Sequence, residues 1–281
     1  MIDYNLRIGK DIFPAEKKDK EELALFWKEI FDDNDAFIRL FFEHVYKPEN
    51  TLIIRKEGKI LAALHFIPYQ VKIKKETYLA AYFCGIGTRE SARGQGLMRT
   101  LVDTAEEFTN RTGYDMCFLI PAEDWLFDVY RKLYFTSEIG KRSKTLNPRS
   151  SNKKFRIIPC TIEYYPYFNK KQWERKRTVL HSSEDFSVIL KDLEIEGGQA
   201  FVAFAEDVPV GMIFAKPGDN ETVLITELMF DNKQVRNSLV SQVRDYFHAK
   251  HCKLIFPRGL ACVWYRKIKR ISSLHMTLML D

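Results

Sequence analysis

Arg93-Gly94-Gln95-Gly96 is the segment whose residue types and spacing speak most directly to chemistry. It stands between an apolar run that reads as a strand, Tyr78 to Thr88, and a stretch from Leu97 to about Thr112 that reads as a helix. Two glycines there let the chain turn tightly and let backbone N–H groups come close to a ligand. With the partial positive charge of the helix start and the Arg93 guanidinium, those amides make a site for phosphate oxygens. A dinucleotide fingerprint would need a glycine where Arg99 stands, and no Gly-Lys-Ser/Thr comes after the loop, so neither a Rossmann turn nor a P-loop is present.

Other reactive side chains are scattered. Glu123 and Asp124 lie just past a short apolar run ending at Ile120, where they could serve as bases or simply cap a helix. His65 falls in an apolar strand and reads as a core or wall residue. His248 and His251 are three apart on an expected helix with no third ligand in view, so no metal site is expected. Cys84 sits in an apolar strand without a histidine nearby, which favours a buried thiol over an acyl relay.

The elements that must position these residues emerge from periodicity. Asp19 to Phe31 and Asp33 to Tyr46, the latter with Asp35 as its cap, read as two amphipathic helices. Thr51 to Arg55, Ile60 to Ile67 and Tyr78 to Thr88 read as an antiparallel meander with a turn at Glu57-Gly58-Lys59. After the glycine turn come the helix, a short strand from Met116 to Ile120, and a helical piece from Glu123 to Leu133. Strand, turn, helix, strand is a βαβ unit.

The stretch 141–156, KRSKTLNPRSSNKKFR, holds seven basic residues and no acid, and reads as a linker. The chain on its C-terminal side repeats the chain on its N-terminal side. FVAFAEDVPVGMIFAK (201–216) has the form of TLIIRKEGKILAALHF (51–66), and 239–268 lines up with 101–133 as helix, strand, proline, helix. Both reach a tetrad Tyr-Arg-Lys-aliphatic, at Tyr130 and Tyr265. Where the first copy has Arg93-Gly94-Gln95-Gly96-Leu97-Met98, the second has Asp231-Asn232-Lys233-Gln234-Val235-Arg236, without glycine. An internal duplication with one working site is the expectation.

The 281 residues are 46% hydrophobic and 29% charged, which excludes a disordered or fibrous chain. Five cysteines without CxxC spacing speak against a disulfide framework or a structural zinc site. No run approaches the roughly 18 apolar residues of a membrane span, and the start carries charges where a signal peptide needs an apolar core. A cytoplasmic protein without membrane contact is expected. The net charge of +6 suits an anionic cofactor, nucleic acid or solubility alike.

The pattern Arg-x-x-Gly-x-(Gly/Ala), met here as Arg93, Gly94, Gln95, Gly96, Leu97, Met98, resembles the cofactor loop of the GNAT acyltransferase superfamily. Met98 replaces the common final Gly or Ala. The strand Tyr82 to Thr88 and the segment IPAEDWLFDVYRKLYF (120–135) are similar to the family's central strand and its YxKLGF segment, with Tyr134 where glycine is usual. The whole chain resembles the Eis-like branch. That implies two tandem GNAT-like α/β (α+β) domains, each a mixed, mostly antiparallel sheet flanked by helices: a catalytic domain at 1–146, and a linker plus degenerate domain at 147–281. It also implies acetyl-CoA as cosubstrate, with pyrophosphate on the amides of Arg93, Gly94, Gln95, Gly96, Leu97 and Met98. The pantetheine arm would pair with the strand end at Ile86, Gly87 and Thr88, and an amide near Ile86 would stabilise the oxyanion. Gly85 and Gly87 weaken a regular ladder there, as a bulge or close backbone approach requires.

The implied reaction is attack of a neutral primary amine, on a small molecule or peptide, upon a thioester, with Tyr130 as the acid that reprotonates the leaving thiolate. A non-catalytic acyl-CoA sensor is the alternative. Nucleic-acid binding through 141–156 and 170–178 is a weaker one, and a homo-oligomer is left open.

Overall fold

The computed structural model describes residues 11–133, 135, 137–139, 143–147, 155–255 and 260–264. In chain order the first half runs β1 (Ile12–Pro14), α1 (Lys20–Phe31), α2 (Asp35–His44), β2 (Thr51–Lys56), β3 (Lys59–Ile73), β4 (Glu76–Thr88), α3 (Leu97–Arg111), β5 (Met116–Leu119), α4 (Leu126–Arg131) and β6 (Ser137–Ile139). The second half runs β7 (Ser143–Leu146), β8 (Arg156–Pro159), α5 (Tyr165–Glu174), β9 (Arg177–Leu180), α6 (Ser183–Ile195), β10 (Gln199–Ala205), β11 (Val208–Pro217), β12 (Thr222–Phe230), α7 (Lys233–Tyr246), β13 (His251–Ile255) and β14 (Leu260–Trp264).

The expected elements are present with small shifts. The cap of α2 is Asn34, whose side chain accepts from Phe37 N–H at 2.8 Å, rather than Asp35. A side-chain oxygen one residue before the first helical turn reaches the second and third amides, which Asp35, already inside the turn, does not. The turn of the first hairpin uses positive φ at Glu57 and Gly58, a type that matches the twist of the strands it joins.

Two mixed sheets are flanked by helices. The first has the order β1-β2-β3-β4-β5-β14-β6, with β9 on β3, and the second β7-β13-β12-β11-β10-β8. Each contains an antiparallel meander, then a helix and a parallel strand: β2, β3, β4, α3, β5 in the first, β10, β11, β12, α7, β13 in the second. The parallel neighbours require such a crossover. Each meander is also preceded by two helices, α1 and α2 or α5 and α6.

Four apolar layers hold this together. One face of the first sheet packs on α1 and α2 through Phe26, Trp27 and Phe41, the other on α3 and α4 through Leu101, Phe108 and Tyr130. The second sheet is covered in the same way by α7 and by α5 with α6. The halves also lean on each other: Val188 of α6 lies in the core under α1 and α2, and Lys72 of β3 donates to the carbonyls of Trp173 and Arg175 (2.6 Å) at the end of α5.

The sheets do not follow a boundary at 146/147 strand for strand. Ser143–Leu146, within the stretch read as a linker, is an edge strand of the second sheet. Its composition hid it, because an edge strand needs only one apolar contact, here Leu146, and tolerates lysine. Leu260–Trp264, matched in sequence to part of a helix, is a strand inserted between β5 and β6 of the first sheet. A short apolar run takes whichever state its neighbours complete, and here two strands offer backbone partners. Among the described residues no helix is long and apolar enough to cross a membrane.

Candidate active site

β4 and β5 run parallel and in register from Ala80 with Met116 to Phe83 with Leu119, and there the pairing stops. β4 continues through residues 84–88, about 16 Å of strand at the usual rise, with β3 on one side and, among the described residues, a free edge on the other. The result is a wedge with its apex at Phe83.

The bulge expected near Gly85 and Gly87 is present. His65 pairs with Cys84 and Ala63 with Gly87, so β4 carries one residue more than β3 between these points. Gly85 takes φ +55° there, which a side chain would strain. Beyond it Arg89 N–H bonds Leu61 of β3 at 2.9 Å. Alternation along the strand turns the amides of Thr88 and Ile86 toward the free edge. Thr88 Oγ1 is buried without a hydrogen-bond partner, a cost that a polar ligand on this edge would remove.

After Thr88 a short 3₁₀ turn (Glu90–Ala92) leads into the glycine loop. Gly94 and Gly96 have φ of +76° and +77°, and a Cβ on either would meet nothing within 4 Å. They are glycines for the sake of backbone conformation, and the space in front of them is clear. Gly96 is the left-handed N-cap of α3 and has no side chain to offer. Since the first helical bond is Thr100 N–H to Gly96 C=O, at 3.0 Å, the amides of Leu97, Met98 and Arg99 find no acceptor in the helix. The exposed Arg93 lies beside them, its Nε 3.4 Å from the Thr88 carbonyl. Leu97 and Met98 turn inward onto the core under α3, so the methionine in place of the usual small residue leaves the amides clear.

Tyr130, on α4, is buried in that same core with its ring 5.9 Å from Phe135. Burial pushes its phenol above the ordinary value, so it keeps its proton. Glu123 and Asp124 lie on the exposed turn before α4, where their carbonyls accept from Leu126 and Phe127.

His65 is buried among Trp27, Phe41, Phe42 and Tyr46, and burial lowers its pKa to about 3. The Thr51 hydroxyl donates to the Lys47 carbonyl (2.9 Å), so at 2.8 Å from His65 Nδ1 it must accept. This assigns the Nδ1–H tautomer. Cys84 is buried and burial raises its thiol, as expected of a core cysteine rather than an acyl relay. His248 and His251 do not share a helix. α7 ends at Tyr246, His248 turns with φ +51°, and His251 opens β13. Among the described residues no group of His, Cys, Asp and Glu could hold a metal. Tyr134 and Tyr265 lie outside the described residues.

Free strand edge, bulge and uncapped helix start follow one another along residues 84–98, which also match a known family. Residues 11–136 fit the model of the acetyltransferase (GNAT) domain. The match covers a little under half of the chain and assigns those residues to the GNAT domain family. Solved structures extend the likeness through both halves. A conserved protein from Enterococcus faecalis V583 superposes with a TM-score of 0.73 at 12% identity, over 90% of this chain and 72% of its own. A GCN5-related N-acetyltransferase from Anabaena variabilis gives 0.70 at 13%, over 91% and 72%. Eis1 from Mycobacterium abscessus gives 0.63 at 15%, over 89% and 66%. At such identities the likeness is one of fold. No curated protein matches the chain by sequence.

The residues expected around the GNAT cofactor, Ile86 to Thr88 and Arg93 to Met98, thus lie at the end of β4 and the start of α3, and Ile86, Leu97 and Met98 pack against the core that holds Tyr130. Sequence reasoning missed the Thr88 hydroxyl and Trp27, which packs against the bulge. A tryptophan four residues before a helix end gives no signal of its partner.

Proposed function

We propose that the chain is a cytoplasmic acetyl-CoA-dependent N-acetyltransferase that passes the acetyl group directly to a primary amine of a small molecule or peptide. The observation that carries this reading is the groove, where a strand edge with outward amides at Ile86 and Thr88 leads to the three unbonded amides of α3. The fit is chemical as well as spatial. Amides and Arg93 suit phosphate oxygens, the strand edge suits the amide groups of a pantetheine arm, and Thr88 Oγ1 lacks a partner.

Acetyl-CoA supplies an acyl carbon already activated as a thioester. The Ile86 N–H donates to the acyl oxygen as charge gathers on it. Tyr130 gives its proton to the sulfur as the C–S bond breaks, and the proton lost by the attacking amine passes through water and restores the phenol. At reference values this transfer is uphill by about 2 kcal/mol, and burial raises the phenol further. The transfer therefore requires that the departing thiolate be desolvated as well, which raises its basicity toward that of the phenol. We infer further that the second half is a duplicated copy that keeps the fold without the cofactor loop.

Calorimetric titration with acetyl-CoA, and then thiol release against a panel of amines, tests the reading. One acetyl-CoA per chain and amine-dependent release are expected. Binding without release under any amine would point to a sensor, and no binding would overturn the assignment.

A further inference from the structure

The groove along β4 is closed at one end. It begins at the open amides after Thr88 and ends at Phe83, where pairing to Leu119 brings the strands together. A ligand with its phosphates on those amides therefore carries its far end to the apex, beside Cys84 and Gly85. One face of the apex is sealed by α1. A Cβ built on Gly85 would collide with the Trp27 ring and stand 2.8 Å from His65 Cδ2, and one on Gly87 would stand 3.1 Å from Ile30 and Phe26. The opposite face is the core holding Tyr130 and Phe135.

Trp27 is itself fixed. Its indole N–H donates to Asp33 Oδ2 at 2.7 Å, and its ring packs on Phe41 and His65 with centroids 4.5 and 5.5 Å away. A close-packed wall of this kind does not take up added methylenes without displacing its members. We propose that Trp27, pinned by Asp33, sets the acyl-chain length of the site, admitting acetyl and excluding chains of four carbons. The inference rests on the acyl-CoA reading above and adds a specificity wall to it. His65 backs this wall, and its neutral ring, bonded to Thr51, adds no charge to the apex.

Titration of the full chain with acetyl-CoA and butyryl-CoA reads the wall directly. Butyryl-CoA should bind at least about 10-fold more weakly, the usual scale for added methylenes in an apolar pocket. Trp27→Leu should bring the two affinities close together, and Asp33→Ala should shift the ratio in the same direction by less. Equal affinities in the unaltered protein would overturn this inference alone, whereas failure of acetyl-CoA to bind would overturn the acyl-CoA reading beneath it. If circular dichroism shows Trp27→Leu unfolded, Asp33→Ala decides, because it alters a turn and not the core. An unchanged ratio there would also overturn the proposal.

Discussion

The two halves build the same wedge and finish it differently. In the second half β12 pairs in parallel with β13 as far as Ile225 and Leu254, and then, among the described residues, runs on through 226–230 with only β11 beside it, as β4 does through 84–88 with β3. It even carries a matching bulge, since Phe214 pairs with Glu227 and Ala215 with Ile225. Over the first bulge lie two glycines and an aromatic wall. Over the second, the fully buried Glu227 meets Arg175 in a two-pronged ion pair (2.9 and 2.5 Å). The helix starts differ more. Residues 89–95 separate β4 from the cap of α3, whereas Asp231 alone separates β12 from Asn232. The Asn232 side chain accepts from the amides of Gln234 and Val235, and Asp231 is held by Lys171 at 2.7 Å. The first half leaves its helix amides without a side-chain cap, and the second satisfies its own from within.

The largest effect should come from closing the open start. Gly96→Glu puts a carboxylate where phosphate approaches, and like charges at such range cost several kcal/mol, so acetyl-CoA affinity should fall ~10³-fold. A Cβ there meets no neighbour, so the fold bears only the cost of a left-handed side chain, about 1–2 kcal/mol. An affinity left intact in the titration would erase the functional difference between the halves.

Tyr130→Phe comes next. It keeps the ring against Phe135 and removes the hydroxyl, so turnover should drop by ~10²-fold with acetyl-CoA affinity nearly unchanged. Thiol release at the unaltered rate would return Tyr130 to a packing role. The repeated tetrad does not settle the matter from sequence, because Leu260–Trp264 before Tyr265 forms a strand whereas Tyr130 lies in the last turn of a helix.

These cases show what was readable in the sequence. Periodicity and turn chemistry are local, so α1, α3, the meanders and the Gly94-Gly96 loop were legible. The repeated order of elements was legible too, but its register was not. Matching Gly94 to Asn232 residue for residue hid the fact that the second copy drops most of a loop and puts a capping side chain at the position of Gly96. Pairings such as β14 between β5 and β6, β9 on β3, or Trp27 over Gly85 join residues far apart in the chain. No residue type announces them. In the basic stretch 170–178 the same holds for the ion pairs of Lys171 with Asp231 and of Arg175 with Glu227, which no local pattern announces.

The smallest effect is the most pointed test of the comparison. If the second helix start is closed because Asn232 satisfies it, Asn232→Ala removes two hydrogen bonds and should cost about 1 kcal/mol, the typical value of a lost N-cap. For a chain of this size that is a fall in melting temperature of about 2–4 °C. The amides it frees should still take no cofactor. Asp231 keeps a negative charge beside them, and the single residue between β12 and the cap is too short to wrap a phosphate as 89–95 can. Titration of the folded variant should therefore still give one acetyl-CoA per chain. A second binding site appearing on removal of the cap would mean that one side chain, and not the shortened loop, separates the two halves. An unchanged melting temperature would mean that Asn232 was never what held the second helix shut.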